Sequence, residues 1–194
     1  MREAFARFDE ANAEDPNRVP FEGTLQPKEL VYARRMTDRL DRFAPDASEV
    51  LRLAARCQHI RRWTIPRGQF PAGRAGYRSW RGTLATYHAD TAAAILHEVG
   101  YDESTVGRVQ ALLRKVGLKS DPDVQALEDV ACLVFLEHYL AEFVTEHDES
   151  KIVSILRKTL RKMSDRGRAS ALQLDLASSL RVLVGRAAAS GQGA

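Results

Sequence analysis

The sequence predicts an all-α fold, a single helical domain of about seven to eight helices. No stretch alternates apolar and polar residues at the two-residue period of a half-buried strand over strand length. Successive segments instead carry apolar stripes at helical spacing, separated by helix stop and start signals such as Asp15-Pro16, Pro45, Gly100 and Asp121-Pro122.

Residues 2–12 form a short helix with Phe5 and Phe8 on one side, an N-terminal brace. Asp15-Pro16 stops it, because the residue before proline is pushed out of the helical region. A loop through Pro20 and Gly23 leads to Pro27, which suits the first turn of a helix running to residue 43 with Leu30, Met36, Leu40 and Phe43 inward. Asp46, with Glu49 three positions on, reads as a capping box for a helix over 47–63. The apolar face of that helix is Val50, Leu53, Cys57 and Ile60, and the adjoining face carries Arg52, Arg56, His59 and Trp63. That edge suits either the floor of an anion site or a solvated basic surface. Residues 64–76 are a loop holding two prolines and three glycines, and a connection of that length is more often functional than a plain linker.

A long helix over 77–99 follows, closed by Gly100 in the left-handed position. Its stripe is Trp80, Leu84, Tyr87, Thr91 and Ile95, with His88 on the adjacent line. Asp102 caps the next helix, which runs to Gly117 with Val106, Val109, Leu112 and Leu113 inward. Asp121-Pro122 opens a helix to residue 143 that is apolar nearly all round at VACLVFL, as a central packed helix is. Asp129 shares a line with Cys132, Leu133 and Leu136, so its carboxylate must be paired, ligated or protonated. Amphipathic helices over 148–163 and 168–188 complete the chain. The segments group as an N-terminal brace and loop (1–24), a core (25–145), C-terminal helices (146–188) and a frayed tail (189–194).

Hydrophobic content of 44% with 28% charged residues is that of an ordinary soluble protein, and the longest apolar run is too short to span a bilayer. The first residues lack the apolar core of a signal peptide, so the expected location is cytoplasmic, with no membrane partner. Cys57 and Cys132 have no metal-finger spacing and read as reduced, buried small residues. Cys57 and His59 face different ways on a helix, and no nucleophilic triad is visible.

Positive charge is concentrated in one stretch. Eight arginines and both tryptophans fall between Leu51 and Asp90, and no Asp or Glu occurs between Glu49 and Asp90. Such a block attracts an anionic, phosphate-bearing partner. Arg56, Arg62, Arg67, Arg74 and Arg78 are the candidates to neutralise phosphate oxygens, and Trp63 or Trp80 to stack on a base. Gly68-x-x-x-x-Gly73-Arg74 lacks the preceding strand and the Lys-Ser/Thr of a phosphate-binding loop. Three further groups lie on core-facing lines: His59, His88 and Asp129, with Glu128 beside the last. Imidazole and carboxylate together suit a divalent metal ion (Mn, Fe, Mg or Zn), with His59, His88 and Asp129 as ligands and His59 and Glu128 as catalytic groups. The alternatives are a hydrogen-bonded core histidine with a buried acid paired to an arginine; a non-catalytic module whose Arg/aromatic stretch 52–81 grips a nucleotide or RNA; and an interaction protein whose arginines meet a partner's acids.

The phrases AARCQHIRRW, IPRGQFPAGRAGYRSWR and LEDVACLVFLEHY resemble the family known as domain of unknown function 4202, across nearly the whole chain. That resemblance implies no activity. The order of helices also resembles the HD superfamily of metal-dependent phosphohydrolases. LRLAARCQHI stands where that superfamily ends an apolar helix in His-Asp, YHADTAAAILHEVGYDESTVGRVQALLRK looks like its next helix pair, and LEDVACLVFLE like the helix of its final aspartate. The resemblance implies ligand positions at His88 and Asp129 and hydrolysis of a nucleotide or other phosphate ester. The sequence departs from it at Gln58-His59, in place of His-Asp, and at Val31 or Tyr32, in place of the first histidine. An HD-like protein that binds a phosphorylated ligand without turning it over fits the same residues.

Overall fold

A computed structural model describes residues 1–189. The fold is all-α, with ten α-helices and one small hairpin among the described residues. The chain forms two compact units, Met1–Gly117 and a second that begins at Leu118.

The first unit opens with α1 (Arg2–Ala13), whose Phe8 is fully buried. Where a loop was expected, β1 (Arg18–Phe21) pairs antiparallel with β2 (Thr24–Pro27). Glu22 and Gly23 form the two-residue turn, both at positive φ (50° and 78°), the backbone that such a hairpin requires. Strands of four residues are too short to display alternation, which is why only Gly23 hinted at them. α2 (Lys28–Phe43) starts after Pro27 without a side-chain cap of its own. Asp15, fully buried, takes that role, accepting from the Glu29 N–H at 3.0 Å and from Asn17. This bond fixes the first turn of α2, and with it Glu29.

α3 (Glu49–Arg56) departs from expectation at both ends. Its cap is Ser48, whose hydroxyl accepts from the Leu51 N–H at 3.2 Å, and not Asp46. It ends at Arg56, seven residues before the expected 63. The chain then turns through Cys57 to Arg61, which is left-handed at φ 49°, and the Arg61 N–H is held by the Asn12 side chain of α1 at 3.0 Å. His59 and Trp63 therefore do not continue the face of Arg52 and Arg56. Short 3₁₀ turns follow at Arg62–Thr64 and Arg67–Gln69.

α4 (Gly73–Glu98) starts four residues earlier than the sequence indicated, and Gly100 closes it at φ 85° as expected. Gly76 is obligatory: a Cβ there would lie 1.9 Å from the Pro71 carbonyl oxygen. α5 (Glu103–Leu113) is capped by Asp102 and gives way to turns well before Gly117. Phe8, Met36, Leu40, Leu53, Leu96 and Leu112 are fully buried in this unit.

In the second unit α6 (Pro122–His138), capped by Asp121, is the apolar helix. It stops at His138, and α7 (Leu140–Thr145) continues the chain as a separate short helix. α8 (Glu149–Lys162) is capped by Asp148. The single helix expected over 168–188 is two, α9 (Asp165–Leu172), capped by Ser164, and α10 (Ser178–Ala189). Of the tail expected to fray, residues 190–194 lie outside the described residues. Both cysteines are buried and neither forms a disulfide among the described residues. No helix among the described residues is long and apolar enough to cross a membrane.

Candidate functional site

The first unit contains a cavity of about 250 Å³. Three segments meet around it. The turn after α3 brings Gln58, His59 and Arg62, one line of α4 brings Arg81, Leu84 and His88, and the end of α5 brings Arg114 and Lys115. Arg81 and His88 are seven residues apart, two helical turns, so both project to the same side of α4. Lys115 reaches the cavity because the chain leaves α5 there in the left-handed region, at φ 58°.

His88 is 4% exposed. Its Nδ1 lies 2.7 Å from the Ile60 carbonyl oxygen, which can only accept, so Nδ1 carries the hydrogen. The early end of α3 is what leaves that carbonyl available. Burial pushes the imidazole down to about 3, against the opposing effect of the Ile60 bond, so the ring is neutral and Nε2 is an acceptor. That Nε2 is buried and has no hydrogen-bond partner among the described residues.

His59 is clamped on three sides. The Tyr32 ring stacks on it at 4.0 Å and 13°, Glu29 Oε2 is 3.6 Å from Nδ1, and an Arg62 guanidinium nitrogen is 3.4 Å from Nε2. A guanidinium only donates, so Nε2 accepts and the Nδ1 hydrogen faces Glu29. At 3.6 Å this last contact is longer than a hydrogen bond. Burial holds the His59 imidazole well below 6.5, and the Arg62 charge adds to the effect. Burial likewise raises the Glu29 carboxyl to about 7, with Arg62 opposing. A carboxyl of that acidity beside a neutral imidazole can hold or release a proton near neutral pH.

The remaining walls are cationic. Arg62 lies over the Trp80 ring at 4.8 Å, and the Trp80 indole N–H donates to the Ile65 carbonyl at 2.9 Å, fixing the platform. Arg114 pairs with Asp90 at 2.6 Å. Arg81 has no hydrogen bond or ion pair among the described residues. No Asp or Glu among the described residues lines the cavity.

Of the substrate-binding candidates, only Arg62 lines this cavity, with Trp80 behind it. Arg56 is engaged by Asp9 at 2.6 and 2.8 Å. Arg67 donates to the Phe70 and Pro71 carbonyls at 2.9 and 2.8 Å and staples its own loop. Arg74 and Arg78 are exposed on the first turns of α4, and Trp63 is half-buried. Sequence reasoning passed over Gln58, Glu29, Arg81, Arg114 and Lys115. The spacing of Arg81 to His88 was the available signal for one of them.

The metal-ligand candidates divide between the units. His59 and His88 come together, with ring centroids 5.9 Å apart. Asp129 and Glu128 belong to α6 of the second unit. Asp129 is 1% exposed and accepts from the Ser164 N–H at 2.8 Å, from the Ser164 hydroxyl and from the Gln125 amide at 3.0 Å. The Glu128 carboxylate lies 3.5 Å from the Lys162 ammonium. Among the described residues no group of three His, Cys, Asp or Glu side chains is placed to hold a metal ion. Within the first unit the candidates supply two imidazoles, and no carboxylate among the described residues lines the cavity beside them.

A family model described as Domain of unknown function (DUF4202) matches residues 2–184, and the chain belongs to that family. No curated protein and no solved structure matches the chain.

Proposed function

For a member of this family, whose description assigns no activity, we propose that the cavity of the first unit binds a small phosphate-bearing anion. The observation that carries this is the convergence of Arg62 and Arg81 on one cavity that no carboxylate lines among the described residues, with Arg114, held by Asp90, and Lys115 beside them. Guanidinium groups match phosphate oxygens in a two-pronged geometry, and like charges held together in a partly dry site are stabilised by an anion between them. The neutral histidines add no charge but offer polar contacts.

The volume favours a small ester. About 250 Å³ falls below the roughly 300–1,000 Å³ usual for larger organic ligands. One face of the Trp80 ring is already taken by Arg62 and one face of the His59 ring by Tyr32, which leaves a base fewer platforms. The RNA reading is weakened by the arginines already engaged within the chain: Arg52 with Asp41, Arg56 with Asp9, Arg61 with Glu14 and Arg67 with backbone carbonyls.

Hydrolysis of the bound ester is a second reading, favoured by the Glu29–His59 contact. Calorimetric titration with inorganic phosphate and with glycerol phosphate at low salt tests binding. One saturable site is expected, weakened about tenfold or more in Arg81→Ala, because a hydrogen bond to a charged group contributes about 1.5–3 kcal/mol. No saturable binding, or unchanged affinity in a folded Arg81→Ala, would overturn the proposal. Phosphate release from a panel of small esters tests the second reading, and binding without release would remove it.

A further inference from the structure

Two acceptor atoms of the cavity-lining residues have no donor among the described residues: His88 Nε2 and Gln58 Oε1, in residues that are 4% and 6% exposed. An unpaired buried polar atom costs about 1–3 kcal/mol, so such pairs call for an explanation. The His88 atom sets the chemistry, because the Ile60 carbonyl fixes its tautomer and leaves Nε2 only a lone pair. The nearby cations do not serve these atoms: Arg62 donates to His59 and Arg114 to Asp90. The dianionic phosphate group of an ester carries acceptors alone. It would satisfy the arginines and leave both atoms as they are. A ligand that also carries hydroxyl groups would satisfy both sets at once.

We infer that the cavity selects a hydroxylated phosphate ester, of the glycerol phosphate or sugar phosphate class, with its phosphate on Arg62 and Arg81 and its hydroxyls donating to His88 Nε2 and Gln58 Oε1. This rests on the reading of the cavity as an anion site and adds the half of the ligand that the cations do not specify. A site built around buried acceptors discriminates by leaving them unpaired when the wrong ligand enters.

The test is a pair of esters of equal charge and similar size, glycerol 3-phosphate and propyl phosphate, titrated into the full chain beside inorganic phosphate. Glycerol phosphate is expected to bind about tenfold or more tightly than propyl phosphate, as about 1.4 kcal/mol of hydrogen bonding gives. The preference should fall to about threefold in His88→Leu, which leaves Gln58 Oε1 to accept one hydroxyl. Because that variant also loses the buried bond to the Ile60 carbonyl, the unmodified protein supplies a second readout: the His88 Nε2 nitrogen resonance should move on adding glycerol phosphate and stay in place with propyl phosphate. Equal affinities with an unmoved resonance would overturn the inference and leave the anion site standing. Failure of all three compounds to bind would overturn both.

Discussion

Replacing Asp129 by alanine separates a structural carboxylate from a functional one. The side chain is 1% exposed and accepts two bonds from Ser164, one from its N–H at 2.8 Å and one from its hydroxyl, and a third from Gln125 at 3.0 Å. Ser164 is the N-cap of α9, and its hydroxyl oxygen in turn accepts from the Gly167 N–H at 2.9 Å. The packing leaves no slack, since a Cβ at Gly167 would lie 2.6 Å from the Asp129 carboxylate carbon. In Asp129→Ala, Gln125 keeps the Lys162 carbonyl, whereas the Ser164 N–H and hydroxyl lose their acceptor. Two lost bonds to a charged acceptor at about 1.5–3 kcal/mol each give a loss of roughly 3–6 kcal/mol. At about 2–4 °C per kcal/mol for a chain of this size, the melting temperature should fall by roughly 6–24 °C. Asp129→Asn keeps one acceptor oxygen and should lose about half as much. The assay is thermal melting followed by circular dichroism, with phosphate titration alongside. Phosphate affinity in the folded protein should not change. A melting temperature within about 1 °C of the parent, together with loss of ligand binding or turnover, would refute the structural assignment and restore Asp129 as a functional group.

Gly76→Ala should cost about 1–3 kcal/mol by overpacking, because the new methyl meets the Pro71 backbone at 1.9 Å; an unchanged melting curve would mean the 66–72 loop is not packed against α4 as described. Trp80→Ala removes the platform under Arg62 and should weaken phosphate binding about threefold, although Trp80 does not line the cavity; unchanged affinity would dismiss the prop. The Glu29 carboxyl, ordinarily near 4.5, is raised to about 7, so the folded chain holds its proton longer and stability from this group falls as pH rises from 4.5 to 7. Glu29→Gln should remove that fall, and an identical slope in chemical denaturation would contradict it. His88 acts in the opposite direction: its imidazole is lowered from 6.5 to about 3, so the unfolded chain takes the proton first and stability is lost as pH drops through that window. A shallower acid limb in His88→Gln is the expected result, and an unaltered limb the contrary one.

The helical class was legible because its signals are local. Apolar stripes, Gly100 at φ 85°, Asp102 and Asp121-Pro122 each act within a turn or two of chain, and each stands where the sequence put it. The end of α3 was not legible, since its apolar stripe continues to Ile60. What ends the helix is remote: Asn12 holds the Arg61 N–H, and His88 takes the Ile60 carbonyl. Ser48 and Asp46 are both good caps, and only the geometry of the Leu51 N–H separates them. The same contrast governs the site. His59 and His88 could be read as core-facing histidines, and the demand of Asp129 for partners could be read from its line of α6. The partner itself, Ser164, is 35 residues away. Arg56 and Arg67 looked like ligand groups because nothing in their spacing reveals Asp9 or the Phe70 and Pro71 carbonyls. Arg114 and Lys115 were hidden for the converse reason, because they reach the cavity from the far end of another helix.

The most direct measurement is a phosphate titration of the isotope-labelled chain, following arginine side-chain and histidine ring nitrogens by NMR. Saturating shifts concentrated at Arg62, Arg81 and His59, with Arg67, Arg74 and Arg78 unmoved, are the predicted result. Shifts confined to the loop arginines, or none that saturate, would contradict the assignment of the cavity as the anion site.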